Sequence, residues 1–102
     1  MPDWTGADCV VDALVEQGVN TVFSLSGNQI MSIYDATIGR DLDLIHTRHE
    51  AAAVHMADAV GRLTGTPGVA LLPAGPGHCN AVTALYVAKM AESPVVVLSG
   101  HA

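Results

Sequence analysis

The sequence predicts an α/β fold, a doubly wound parallel sheet with flanking helices, truncated at its C-terminal end. Three observations predict it. Short apolar runs without polar alternation recur at 19–25, 42–47, 68–73 and 95–98, as in strands covered on both faces. Stretches with helical spacing of apolar residues separate them. Each run leads into a polar or glycine-rich loop, the pattern of strand–helix–strand units joined by right-handed crossovers.

The elements follow in order. Thr5 can cap a first helix with Asp8 three residues on; Val10, Ala13 and Leu14 give it an apolar stripe and Gly18 ends it. Val19 to Leu25 reads as a strand, and Ile30, Ile33, Tyr34 and Thr37 follow helical spacing up to Gly39. Asp41 and Asp43 flank the turn into a second strand, Leu42 to Thr47. A third helix is expected from Glu50 to Thr64, with Ala53, Met56, Val60 and Leu63 on one face and Gly65 as its terminator. Gly68 to Pro73 forms a third strand, Ala74-Gly75-Pro76-Gly77 turns it into a fourth helix over His78 to Ala91, and Val95 to Leu98 closes the pattern. The sequence stops at Ser99-Gly100-His101-Ala102, where another helix is expected, so a fragment is predicted.

Composition narrows the class. A chain of 102 residues suits one domain, residues 1–102, and half of it is hydrophobic with only 14% charged, which argues for a buried core. A body of this size buries about two thirds of its unfolded surface. So few charges imply further apolar faces covered by a partner or by additional chain. The net charge of −6 offers no basic stripe for a nucleic acid. No apolar run approaches the ~20 residues that span a bilayer. Met1-Pro2-Asp3-Trp4 is not a charged-then-apolar leader, and Cys9 and Cys79 lack disulfide or C-x-x-C spacing. A cytoplasmic protein is expected.

In a parallel sheet the carboxyl ends of the strands gather at one rim where ligands bind. Ser24 to Gln29, His46 to Glu50, Ala74 to Asn80 and Ser99 to His101 all fall there. Glu50 has two readings. It is an ordinary first-turn glutamate favoured by the helix dipole, or a buried carboxyl that exchanges a proton with a ligand nitrogen. Gly75-Pro76-Gly77 is either a tight turn or an anion cradle of backbone N–H groups. It is not the Gly-x-Gly-x-x-Gly pattern, because residue 80 is Asn. His49-Glu50 is followed by His55 and not by a histidine at 53, so a helical zinc pair is rejected and no metal ligand is assigned. Cys79 is expected to be a small buried residue, with His78 badly placed to act as its base. The roles of His46 and His101 stay open.

Read together, several segments resemble the N-terminal pyrimidine-binding (PYR) domain of thiamine-diphosphate enzymes, particularly the acetolactate synthase-like group. They are Thr5 to Asp8, Glu16 to Val19, Val22 to Asn28, Tyr34 to Ala36, His49 to Ala53, Met56 to Asp58, Gly61 to Gly65, Gly75 to Gly77 with Asn80, and Glu92 to Gly100. Ser26 and Asn28 depart from the Pro-Gly-Gly usual in the first loop of synthases, and Ala59-Val60-Gly61 stands where Gly-Tyr-Ala is common.

The resemblance implies that Glu50 is catalytic. It would hydrogen-bond N1′ of the aminopyrimidine and promote the tautomer whose 4′-nitrogen deprotonates C2 of the thiazolium, which then attacks a small 2-oxo acid that loses CO2. Ser26, Gly27, Asn28, Gly75, Gly77 and Asn80 would join Glu50 in binding the cofactor, and Gln29 and His78 would meet the substrate. The family holds the diphosphate and Mg2+ through a second domain with Gly-Asp-Gly, a motif not found in this sequence. A homologous subunit or diphosphate-binding domain is therefore the implied partner, a homo-oligomer the implied assembly, and the chain alone is not expected to turn over. Two other readings compete: a non-catalytic PYR-like interaction module associating with a homologous subunit, and an unrelated nucleotide-binding α/β domain using the Gly75-Pro76-Gly77 turn.

Overall fold

The computed structural model describes residues 4–101; the polar start at Met1 to Asp3 and the terminal Ala102 lie outside them. Helix α1 spans Gly6–Glu16 with Thr5 as its N-cap. Thr5 Oγ1 accepts the Asp8 amide at 3.2 Å and Asp8 Oδ2 accepts the Thr5 amide at 2.9 Å, a reciprocal box that satisfies two otherwise orphaned donors. Strand β1 is Thr21–Ser24. One 3-10 turn, Asn28–Ile30, leads into α2, Met31–Ala36, so this helix is shorter than its apolar spacing predicts. Strand β2 is Asp43–His46.

Helix α3 covers Glu50–Thr64, as the sequence predicts, and ends on Gly65 at φ 74°, a conformation costly for any residue with a Cβ. Strand β3 is Gly68–Leu72, and β4 is Val95–Ser99. The single fourth helix expected over His78 to Ala91 is in fact two: α4, Pro76–Asn80, and α5, Val82–Met90. Alanine at the break carries no local stop signal. Ala81 is wholly buried, and its amide bonds back to the His78 carbonyl at 3.1 Å, a tightened turn that ends α4.

All strands are parallel, in the order β2-β1-β3-β4. The chain steps from β1 outward to β2, then returns past β1 to β3 and on to β4. Crossovers of one hand must therefore place α2 on one face and the helices that follow on the other. The packing agrees. Val22, Val69 and Leu71 pack with Val11 of α1, with Ile33 and Tyr34 of α2 and with Ile30 just before it. Phe23, Ala70, Leu72, Val95 and Val97 face Ala53, Val54 and Ala57 of α3 and Ala84 of α5. Each fully buried Val, Leu or Ile contributes about 1.5–3 kcal/mol. Strand β3, between β1 and β4, is buried at all five positions. Among the described residues no helix is long and apolar enough to cross a membrane.

Candidate functional site at the carboxyl rim of the sheet

The strand order reverses between β1 and β3, and the loops leaving those two strands touch. A Cβ on Gly27 would lie 2.5 Å from Pro73 Cβ, and one on Gly77 would overlap Pro73 Cγ. Pro73 is thus a wedge that only glycine can approach from either side. At the end of β4, the Gly100 amide bonds the Leu72 carbonyl at 3.0 Å, and a Cβ on Gly100 would stand 2.7 Å from Gln29 Cβ. All four rim segments named from the sequence therefore converge.

Glu50 occupies the first position of α3 and is 8% exposed. Local chemistry puts it there. The Thr47 amide donates to the Ser24 carbonyl at 2.9 Å, and its hydroxyl lies 3.0 Å from the His49 carbonyl oxygen. His49 is the N-cap, with Nδ1 accepting the Ala51 amide at 3.0 Å, so its ring proton belongs on Nε2. Glu50 then points toward α4. Its Oε1 accepts from Asn80 Nδ2 at 3.2 Å, while a Cβ on Gly77 would lie 3.2 Å from Oε2. The positive end of the α3 dipole favours a negative charge at this position.

The other candidates distribute around this group. Ser26, Asn28 and Gln29 are exposed on the first loop, with Gly27 half-buried against Pro73. Gly75 turns at φ 60°, ψ −115°, and Gly77 is buried. His78 lines a separate cleft of about 390 Å³ with Gly75, Cys79, Ser99, Gly100 and His101, and Glu50 is not in its wall. Cys79 is exposed, which corrects the expectation of a buried thiol: α4 turns Gly77 to the interior and leaves Cys79 on the solvent side. A second cleft, about 300 Å³, lies at the opposite end of the sheet beside Gly18, Asn20, Thr21 and Gly68, with no ionisable side chain in its wall. Among the described residues no three His, Cys, Asp or Glu side chains converge in a way that could hold a metal ion.

Sequence reasoning missed a second cluster on the α2 side of the rim. The fully buried Ser24 hydroxyl donates to the Leu71 carbonyl at 2.7 Å and lies 2.6 Å from Tyr34 Oη, so the tyrosine must donate to it. The His46 ring stands edge-on to Tyr34, with centroids 5.6 Å apart. A serine closing an apolar strand was the available signal. Nothing in the sequence tied it to Tyr34. It also missed His49 as a cap and Pro73 as a wedge.

The family model for the thiamine pyrophosphate enzyme N-terminal TPP binding domain matches residues 4–102. Acetolactate synthase of Bacillus subtilis (strain 168) is 49% identical over 96 residues, 94% of this chain and 17% of that protein. The large subunit of acetolactate synthase isozyme 3 of Escherichia coli (strain K12) is 49% identical over 99 residues, 95% of this chain and 17% of that one. A 2-hydroxyacyl-CoA lyase 2 of Xenopus laevis is 48% identical over 97 residues, 95% of this chain and 15% of the lyase. The chain spans less than a fifth of the length of each of these relatives.

Proposed function

Because the chain belongs to the family of thiamine pyrophosphate enzyme N-terminal domains, we propose that it is the pyrimidine-binding part of a thiamine-diphosphate-dependent enzyme in which Glu50 exchanges a proton with the aminopyrimidine. The observation that supports this is the state of Glu50: a carboxylate sunk in the rim with one oxygen beside a glycine. A Cβ on Gly77 would lie 3.2 Å from Oε2, so α4 approaches that oxygen as closely as glycine permits. A sunken carboxyl suits a heterocycle offering a ring nitrogen, and a carboxylate repels a phosphate. That also weighs against the mononucleotide reading of the Gly75-Pro76-Gly77 turn.

When bound, thiamine diphosphate supplies a carbon nucleophile and an electron sink for breaking or making a bond at a carbonyl carbon. The chain's own contributions are positional. Glu50 Oε2 holds or releases the proton, and the low exposure of the carboxyl keeps water from competing for it. The touching loops at Gly27 and Pro73 fix the floor of the site. Ser26, Asn28, Gln29, Gly75 and His78 are assigned to its border, where cofactor and substrate would approach.

The similarity to synthases and to a lyase is nearly equal, 49% and 48%. It supports a 2-oxo-acid decarboxylase or carboligase of the acetolactate synthase type through the step both chemistries share. The diphosphate and Mg2+ are assigned to a second domain or a homologous subunit, consistent with the missing Gly-Asp-Gly motif. A homo-oligomer acting on a small 2-oxo acid in the cytoplasm completes the proposal.

The test is Glu50→Gln in the full-length polypeptide, read as hydrogen–deuterium exchange at C2 of the bound cofactor by proton NMR. General acid–base catalysis contributes about 10²–10⁴-fold, so exchange should slow by at least a hundredfold. An exchange rate matching the wild type removes Glu50 from the mechanism.

A further inference from the structure

We propose that Asn80 is a positioning residue, whose side-chain amide selects which oxygen of Glu50 is presented to the ligand. This rests on the functional reading above and deepens it. The terminal torsion of a glutamate is broad and two-fold, so an unrestrained carboxylate presents either oxygen. Here Asn80 Nδ2 donates to Oε1 at 3.2 Å. A carboxylate only accepts, so the amide must turn its nitrogen inward, and its own orientation is fixed as well. The remaining oxygen, Oε2, stands on the Gly77 side, 3.2 Å from where a Cβ on that glycine would lie.

The backbone is arranged to aim this amide. Gly75 enters α4 at φ 60°, and Asn80 is the last residue of that helix. Ala81, directly after it, is wholly buried in the core shared by α3 and α5. The break at Ala81 thus pins Asn80 over the first turn of α3. Asn80 is itself an exposed residue, so its amide is not needed to fill the core. Asn80 thus serves Glu50, beside the cofactor-binding role that the sequence suggested.

The experiment uses the full-length polypeptide with Glu50→Gln, Asn80→Ala, Asn80→Asp and the Glu50→Gln/Asn80→Ala double variant, each checked for folding by circular dichroism. Should Asn80→Ala fail to fold, Asn80→Asp, which keeps the shape and sets an acceptor against an acceptor, carries the test. The first readout needs no cofactor: the carboxyl carbon-13 resonance of Glu50, assigned by its loss in Glu50→Gln. It should move in both Asn80 variants, and an unmoved resonance overturns the proposal whatever Glu50 does for the cofactor. The second is C2 exchange at saturating thiamine diphosphate. Hydrogen bonds to charged groups set the scale, so Asn80→Ala should slow exchange by about tenfold to a hundredfold. Asn80→Asp should be at least as slow.

The double variant should be no slower than Glu50→Gln alone, the signature of a residue acting through its neighbour. Losses that multiply in the double variant would make Asn80 an independent contact and overturn the proposal. If Glu50→Gln alone leaves exchange intact, the functional reading fails, and the resonance still decides whether Asn80 orients the carboxylate.

Discussion

Replacing Gly77 with alanine separates packing from chemistry at the rim. The added Cβ would overlap Pro73 Cγ, stand 3.0 Å from Pro73 Cδ and lie 3.2 Å from Glu50 Oε2. Forcing a methyl into filled space costs about 1–3 kcal/mol. With a urea slope of about 1–3 kcal/mol/M, the unfolding midpoint should fall by an amount on the order of 1 M. Gly61→Ala is the matched control, because its Cβ would stand 2.5 Å from the Pro94 carbonyl oxygen, about three turns along α3 from Glu50. Both variants should lose comparable stability by circular dichroism. Their C2 exchange rates should differ. A ligand nitrogen bonding Oε2 needs to sit about 2.8 Å away, and a methyl forced to within 3.2 Å of that oxygen must displace Pro73 or the carboxylate itself. Gly77→Ala should therefore lose exchange at cofactor saturation while Gly61→Ala keeps it. Equal exchange losses, or two unchanged midpoints, would refute the argument.

Ser24→Ala strips the Leu71 carbonyl and the Tyr34 hydroxyl of their shared partner and should cost about 1–3 kcal/mol in urea unfolding, with Tyr34→Phe costing less; equal losses from the two would sink the network. Acid should unfold the domain partly through Asp58 and Asp8. The Asp58 carboxyl is held below the carboxylate value of 3.8 chiefly by hydrogen bonds from Arg62, and that of Asp8 chiefly by the Thr5 amide. A depressed folded value means stability present above pH 3.8 and lost as pH falls below it, so Asp58→Asn should flatten the acid limb of a midpoint-versus-pH profile. A limb of unchanged steepness contradicts the assignment.

Most of the frame was legible because its signals are local. The Thr5–Asp8 box, Gly18 and Gly65 each mark a helix end with a residue type the geometry requires, and α3 runs between the predicted residues. The short apolar runs gave the parallel sheet, since strands buried on both faces need no polar alternation. What could not be read was set by tertiary contact. Alanine is a good helix former, so the break at Ala81 has no local cause; it accompanies the burial of Ala81 in the core between α3 and α5. Histidine is not a favoured cap, so His49 gave no hint that its ring would take the Ala51 amide. Cys79 looked like core by composition, and it lies exposed because Gly77 is the residue of α4 that turns inward.

The topology explains why Glu50 and Asn80 meet at all. The crossover from β2 to β3 and the one from β3 to β4 run in the same direction across the sheet, so α3 and α4–α5 share one face. Returning from the outer strand, α3 passes over β1 and packs on β1, β3 and β4. Its first turn therefore stands beside the loop that leaves β3, which is where α4 begins. A glutamate at the start of α3 must face the residues of α4, whatever their identity, and only there does an asparagine at 80 acquire a partner. Ser24, Tyr34 and His46 belong to the opposite face by the same rule, because the first crossover runs the other way. The rim thus has one half holding a buried carboxyl group and a hydroxyl-bearing half that ties the strand ends together, joined through Pro73. Glu50 stands at the rim because the path of the chain delivers it there, and its first-turn position alone would not have required it.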